Sequence, residues 1–263
     1  MAKLTRVVNE AFAAGTAPKF MATQDEEGIP NIAMISTTTP WDDEHLIFGD
    51  FLMWRTKKNL QSGSPVSVSV LTKDFRWYEA RGRFLGFERS GEKFDAVSEQ
   101  DMFRYSAIGL LRAVGTIAVD EVYAHRLSIV SVGKHRLLTQ IGCRPPKHLR
   151  DAKRINRIVA RVVSARKGVK FLAVSRDDHL EQFPVMEIRP AGKSHLVVRP
   201  DLSLSKGDIV ATSAVTFDLE AFQIKGEYVG VMRSRGLRLG YIKITTVLSQ
   251  TPPLVSHEVP ASS

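Results

Sequence analysis

An internal repeat constrains the fold of this chain more than any other feature. Five short segments of the first half recur in the same order in the second half, with similar apolar and glycine positions. The pairs are 18–27 with 169–178, 44–48 with 194–198, 64–72 with 208–216, 77–86 with 221–230, and 114–124 with 239–249. Five ordered correspondences are typical of two copies of one supersecondary unit.

Each copy has the pattern of one helix followed by short strands. Residues 4–14 carry apolar side chains at helical spacing, and Gly15 can end that helix. A second helical stretch is expected at 91–104. Apolar alternation predicts strands at 19–23, 29–37, 44–50, 65–72, 76–88 and 114–124. Sets of short antiparallel strands close most readily as small barrels, so we predict a mainly β fold with flanking helices (α+β) and two tandem barrels.

The same patterns divide the chain into four parts. We expect a first barrel at 1–125, a linker at 126–146, a second barrel at 147–250 and a flexible tail at 251–263. The linker has apolar pieces without a strong period, which predicts an irregular segment with room for one extra strand. A helix at 147–168 is expected to open the second barrel.

Net charge and cysteine content limit the kinds of partner and the cellular location that we expect. The 263-residue chain has a formal net charge of +9, which favours phosphates, acidic metabolites or nucleic acid. Cys143 is the only cysteine, so no internal disulfide forms and a cytoplasmic location is expected. No apolar run approaches the roughly 20 residues that span a bilayer, so we expect no membrane partner.

Several functional classes lack their motifs. The sequence has no GxGxxG that opens a helix after a strand, no GxxxxGK[ST] and no GxSxG. The seven histidines are scattered, with none at metal-ligand spacing, so we expect no metal site. The basic helix at 147–167 has no aromatic residue among its charges. A solvated face therefore explains it better than a nucleic-acid site, and nucleic acid is not expected as a partner.

One stretch, HLIFGDFLMWRTKKNL at 45–60, places a dense group of cations directly after an apolar strand. Arg55 offers a fork of N–H donors, Thr56 a hydroxyl and Lys57 a point charge, which together suit a phosphate dianion. We expect a short helix at 54–62 to present them. From the residues alone, a solvated basic turn capping Leu60 explains the same pattern.

The order KFMATxDxxGxPNIAMIS, HLIFGDxxxxRTxxNL, PVSVSV and a long glycine-containing strand resembles the FMN-binding split barrels related to pyridoxamine 5′-phosphate oxidase. The resemblance covers most of 15–125 and extends more faintly to 169–249. It implies tandem split β-barrels and FMN-dependent oxidoreductase activity. It also implies that the flavin phosphate is held by Arg55, Thr56, Lys57 and Asn59, with Lys58 as a further candidate.

The resemblance places the flavin ring along the second strand. An ordinary core strand explains the alternation there equally well. The stretch under the ring includes Asn31, Ala33, Met34, Ile35 and Ser36, and the positions near the ribityl chain are Asp50 and Phe51.

Two departures from the family pattern limit what is expected. At the place of RTKKNL the second copy reads LSLSKG (202–207), without arginine, so we expect it to have lost its own phosphate site. The segment 249–263 lacks the arginines that vitamin B6 oxidases use there, so pyridoxamine phosphate oxidation itself is not expected. A duplicated chain implies a monomeric pseudo-dimer or a homodimer, with a small-molecule substrate or an electron carrier as partner. No catalytic residue is identified.

Other ligands and functions stay open. Split barrels of this kind also bind F420 or haem, and a haem site would need an axial histidine such as His125 or His257. A non-enzymatic protein that stores or senses flavin, or that binds nucleic acid through the basic helix, is a further alternative.

Overall fold

The computed structural model describes residues 3–51, 53–100, 111–144, 155–177, 179–251 and 255–260. The chain divides into two compact units. The first comprises Met1–Leu127 together with Arg176–Gln182, and the second comprises Ser128–Ser175 and Phe183–Ser263. Among the described residues, no helix is both long and apolar enough to cross a membrane.

The first half of the chain builds one seven-stranded antiparallel sheet. Its strands are β1 (Lys19–Gln24), β2 (Pro30–Met34), β3 (Thr39–Pro40), β4 (His45–Asp50), β5 (Pro65–Leu71), β6 (Arg76–Glu88) and β7 (Ala113–Arg126). The order across the sheet is β2-β1-β5-β6-β7-β4-β3. Three described helices accompany it, α1 (Arg6–Ala13), α2 (Trp54–Lys58) and α3 (Glu92–Ser98).

Alternation along the strands builds the core of this unit. Met21, Val68 and Phe84 point into one apolar cluster, which the inner face of α1 joins through Val8 and Phe12. Each of these side chains is nearly inaccessible to solvent. Burial of apolar area on this scale is the main stabilising contribution to such a unit.

The second half builds an equivalent sheet. Its strands are β8 (Gly168–Ser175), β9 (Leu180–Pro184), β10 (Arg189–Ala191), β11 (His195–Val198), β12 (Ile209–Thr216), β13 (Ala221–Ser234) and β14 (Leu237–Ser249). The order is β10-β11-β14-β13-β12-β8-β9. Read from β9, each strand occupies the place of its counterpart in the first sheet. The expected fold class is confirmed: the chain forms two tandem split β-barrels, mostly antiparallel.

The longest strands also bend at corresponding places. β6 and β7 shift register between Arg81 and Gly82, and β13 and β14 shift between Lys225 and Gly226. A Cβ on Gly82 would lie 1.9 Å from the Ala118 carbonyl oxygen, and one on Gly226 would lie 2.4 Å from that of Lys243. Both glycines are needed for the close approach of two backbones at a bulge.

The segment expected to be an irregular linker contains a helix instead. Helix α4 runs over Ile129–Ile141, and the hydroxyl of Ser128 caps it by accepting from the Ser131 N–H at 3.2 Å. This helix was not predicted because its apolar residues do not form one clear stripe. Ile129, Val130 and Leu137 are exposed, whereas the side chain buried in it is the polar Thr139.

Other boundaries also differ from the prediction. Strands β3, β9 and β10 were not expected, because each is short and lacks sustained apolar alternation. Helix α3 covers only the first part of the predicted 91–104 stretch, and 101–104 lie outside the described residues. Helix α5 (Arg157–Ser164) covers part of the predicted 147–168 helix, whose last residues, 165–168, are not helical. The segment 145–154 lies outside the described residues.

Candidate functional site

Helix α2 follows β4 and carries the cations that the sequence singled out. It has only five residues, Trp54–Lys58, rather than the predicted 54–62. Arg55, Lys57 and Lys58 are exposed, whereas Thr56 is 3% exposed. One turn of helix therefore divides the predicted group into an outer cationic face and an inner hydroxyl. We call the set Asp50, Arg55, Thr56, Lys57 and Asn59 the basic corner.

A polar network fastens α2 to the first two strands. The amide nitrogen of Asn31 donates to the Thr56 hydroxyl at 3.2 Å and lies 3.5 Å from the Thr23 hydroxyl. The amide nitrogen of Asn59 donates to the same Thr23 hydroxyl at 3.1 Å. Thr23, Asn31 and Thr56 are buried, and these hydrogen bonds give their polar atoms partners. The same bonds hold α2 against the first two strands. Thr56 and Asn59 therefore have structural partners.

Lys57 pairs with a buried carboxylate. Its Nζ lies 2.5 Å from Oδ2 of Asp50, whose side chain is 1% exposed, while the lysine side chain is 42% exposed. The same Nζ lies 5.1 Å from the centre of the Phe87 ring. The Asp50 charge is compensated from within the corner, and part of the lysine ammonium still faces solvent.

Two arginines complete the positive face. Arg55 is exposed and has no salt-bridge partner among the residues that the structure describes. Arg112 lies 5.2 Å over the Trp54 ring, and its backbone N–H donates to the Asp50 carbonyl at 2.9 Å. Arg112 was not predicted, since it precedes β7 and is remote from α2 along the chain. Together with Lys57 and Lys58 these side chains outnumber the single carboxylate of Asp50.

The predicted ring-binding stretch is less uniform than expected. Ala33 and Met34 are half-buried at the end of β2, and Ser36 is half-buried just beyond it. Ile35 is buried and packs in the main core. Phe51 is half-buried. Its ring packs so closely on Gly49 that a Cβ added there would lie 2.5 Å from the ring atom Cε2. Ala33, Met34 and Ser36 are thus partly accessible, whereas Ile35 contributes to packing.

A buried lysine supports the end of this stretch. Nζ of Lys19 donates to the Ser36 carbonyl at 3.2 Å. Burial lowers the pKa of Lys19 to about 8, because the ammonium has little water around it. The contact fixes the backbone where the chain leaves β2.

The equivalent place in the second unit is built differently. Residues 202–207 form no helix, Leu202 is buried, and Leu204 packs against the core. The Ser205 N–H donates to the Asp208 carboxylate at 2.8 Å, so an acidic side chain occupies the loop. Lys206 is the one cation of this loop sequence.

These features define a class of protein: a tandem split barrel with one cationic corner beside the second strand of its first unit. The corner offers guanidinium and ammonium donors, with hydroxyl and amide groups behind them. Its charges fit a phosphate dianion. Among the described residues, no group of three or more His, Cys, Asp or Glu side chains could hold a metal ion.

Several solved structures are similar to part of this chain. HupZ of Group A Streptococcus is 20% identical, with a TM-score of 0.40, over 46% of this chain and 94% of its own. An FMN-binding protein of Syntrophomonas wolfei is 19% identical, with a TM-score of 0.40, over 46% of this chain and 84% of its own. HutZ, the haem storage protein of Vibrio cholerae, is 15% identical, with a TM-score of 0.35, over 46% of this chain and 94% of its own.

Each alignment covers slightly less than half of the chain. No protein-family model and no curated protein matches the sequence. At these identities and TM-scores, the likeness assigns neither a ligand nor an activity to this chain.

Proposed function

We propose that this protein binds FMN through the basic corner of its first unit and acts as an FMN-dependent oxidoreductase on a small-molecule substrate or electron carrier. The duplicated chain would retain one phosphate site, since the second unit has a buried leucine and an aspartate where the first has α2. A cytoplasmic location fits the single cysteine.

The observation that carries this proposal is the hydrogen bond between Asn31 and Thr56 at 3.2 Å. Asn31 begins the stretch expected under the flavin ring, and Thr56 lies in the helix expected to hold the phosphate. Two predicted segments whose bonded residues are 25 positions apart in the sequence are therefore neighbours. One elongated ligand with an anionic end and a flat end could contact both.

Each residue of the corner would have a distinct role. Arg55 would bind the phosphate most directly, because its fork of donors is exposed and not engaged in a described salt bridge. Lys57 would supply a second charge while it neutralises Asp50. Thr56, Asn31 and Asn59 would hold the helix in position. Bound FMN supplies the redox chemistry, and the protein contributes binding and orientation.

F420 and haem are the alternatives within the same fold. F420 also carries phosphate and would use the same corner. Haem would need an axial ligand, and the ring of His125 is already stacked on Trp77 with 4.4 Å between centroids. His257, the other candidate, is exposed. The cations of the basic corner therefore support a phosphate-bearing ligand over haem.

The experiment starts with the purified full chain. An absorption spectrum, followed by mass spectrometry of the released chromophore, distinguishes flavin, deazaflavin and haem. We expect flavin bands and the mass of FMN. The double variant Arg55→Ala with Lys57→Ala should lose most of the flavin. A matched control, Lys73→Ala with Arg76→Ala, removes the same charge from exposed residues where β5 connects to β6, and this variant should keep its flavin.

A denaturant unfolding curve for each variant separates loss of binding from loss of fold. Flavin content equal in both double variants would overturn the proposal. A Soret band, or a colourless protein that takes up no FMN, would do the same.

A further inference from the structure

A concave site lies on the first unit and shares no residue with the basic corner. It is a pocket of about 440 Å³. This volume lies within the range of small-molecule sites. Pro65, Val66 and Leu180 supply an apolar part of its lining. An aliphatic group could therefore be buried there.

Strand β6 supplies the positive side of the pocket. Arg81 and Arg83 both line it, although the register of β6 shifts between Arg81 and Gly82. Alternation places the two arginines on the same face of β6. Pairing passes from Arg81 with Glu121 to Gly82 with Val119, so the extra residue of this bulge is Asp120 on β7. Gly82 lies between them in the lining, where the lack of a side chain permits the close approach of the Ala118 carbonyl.

The two arginines differ in how far their charge is already used. Arg81 donates to Glu79 at 3.0 Å, lies 3.6 Å from Glu181, and its guanidinium stacks 4.3 Å from the Tyr123 ring centre. These contacts hold the Arg81 side chain in place in the pocket lining. Arg83 is 54% exposed, and its Nε lies 3.9 Å from Oδ2 of Asp120, which is itself 46% exposed. This ion pair is weak because its distance is long and both side chains are exposed to water. Nη1 of Arg83 also donates to the Gly63 carbonyl at 3.3 Å, but its positive charge has no closer anion among the described residues.

Strand β7 supplies the negative side. Asp120, Glu121 and Tyr123 line the pocket beside the arginines, and Arg81 is the pairing partner of Glu121. One oxygen of Glu121 accepts from the Tyr123 hydroxyl at 2.7 Å, which leaves its other oxygen for a ligand. The lining thus has two cations on β6, two carboxylates on β7 and an apolar part from Pro65, Val66 and Leu180.

We propose that this pocket binds a small zwitterion of the aliphatic α-amino acid type. The ligand carboxylate replaces Asp120 at Arg83, and the ligand ammonium binds Asp120 and Glu121. Its aliphatic side chain packs on Pro65, Val66 and Leu180. A phosphate would face two carboxylates, and a simple alkylamine would leave Arg83 without an anion. Only a ligand with both charges satisfies both sides.

The test uses the full chain and probes that remove one charge at a time. L-Alanine, L-valine and L-leucine are titrated by calorimetry, followed by L-leucinamide, which lacks the carboxylate, and 4-methylpentanoate, which lacks the ammonium. We expect saturable binding that strengthens with side-chain size. Each trimmed probe should bind at least about tenfold more weakly than L-leucine, because it loses one charge-assisted contact.

Variants locate the binding. Arg83→Gln should weaken L-leucine binding about tenfold, and Asp120→Asn should do likewise, whereas Glu27→Gln and Lys73→Gln, which alter exposed residues outside the pocket, should not. Absence of saturable binding by all three amino acids would overturn the proposal. So would equal binding of the trimmed probes, or unchanged affinity in both pocket variants that retain the wild-type melting temperature.

Discussion

Nζ of Lys57 lies 2.5 Å from Oδ2 of Asp50, and the carboxylate is buried while the lysine is partly in water. The pair is therefore asymmetric: the aspartate depends on the lysine more than the lysine depends on the aspartate. Removing the cation leaves a buried charge without a partner, which is far more costly than removing an exposed charge.

This asymmetry predicts a rescue. Lys57→Ala should lower the free energy of unfolding by about 1–3 kcal/mol, less than for a fully buried pair because water reaches the site. Adding Asp50→Asn should restore most of that loss, because no charge is then stranded. Urea unfolding of the two single variants and the double variant measures the coupling. Additive effects of the two substitutions would contradict this account of the pair.

The glycines of β6 provide a second prediction. Gly82→Ala should destabilise the protein by about 3 kcal/mol, since its Cβ would meet the Ala118 carbonyl oxygen at 1.9 Å. Gly86→Ala is the matched control, because nothing lies within 4 Å of a Cβ there and the second register shift falls beside it. That control should change stability by less than about 0.5 kcal/mol. Similar urea midpoints for the two variants would refute the role given to Gly82.

Lys170, the counterpart of Lys19 in the second unit, predicts a pH dependence of stability. Burial is the main cause that lowers its pKa to about 7, Arg136 and Arg189 add to the lowering, and Glu187 opposes it. Its Nζ donates to the Ala165 carbonyl at 3.0 Å. Between pH 7 and the ordinary lysine value of 10.5, the unfolded chain holds a proton that the folded chain lacks.

Stability should therefore rise with pH across that window, by up to about 1.4 kcal/mol per pH unit from this group. Lys170→Met should reduce the slope by this contribution, whatever its effect on stability at a single pH. The measurement is urea unfolding at several pH values from 7 to 10 for both proteins. Parallel pH profiles would show that Lys170 is protonated in the folded state.

Glu79 holds three donors of the first unit. It accepts from the Ser67 hydroxyl at 2.7 Å, the Gln182 backbone N–H at 2.9 Å and the Arg81 guanidinium at 3.0 Å. In Glu79→Gln, an NH2 group replaces one carboxylate oxygen and faces other hydrogen-bond donors. Arg81 also loses the negative charge of its nearest carboxylate. We expect a loss of about 2–4 kcal/mol and faster hydrogen exchange at the Gln182 amide. Glu27→Gln, in an exposed turn, is the control, and equal exchange in the two variants would rule out this network as the anchor of Gln182.

The sequence predicted the strands whose residues alternate over a long stretch. β6 was predicted at its observed bounds because thirteen residues carry one periodic signal. β3 has two residues and β10 three, too few to establish a period. α4 was missed because its exposed face is as apolar as a buried one. A sequence pattern predicts an element when its apolar residues are the buried ones. It does not predict an element whose formation depends on contacts with residues distant in the sequence.

The candidate site shows the same limit. The sequence predicted that Arg55 and Lys57 lie together, since both are in one short segment. It did not reveal that Thr56 faces inward to Asn31, because the direction of a side chain depends on where a five-residue helix docks. Arg112 joins the corner only through the pairing of β7 with β4, a contact between residues distant in sequence.

The most direct measurement of the central claim is a titration of flavin-free protein with FMN and with riboflavin, which differ by the phosphate. We predict that FMN binds at least about tenfold more tightly, and that Arg55→Ala weakens FMN binding about tenfold while leaving riboflavin unchanged. Equal affinity for the two flavins, or a preference for FMN that survives in Arg55→Ala, would contradict a phosphate site at the basic corner.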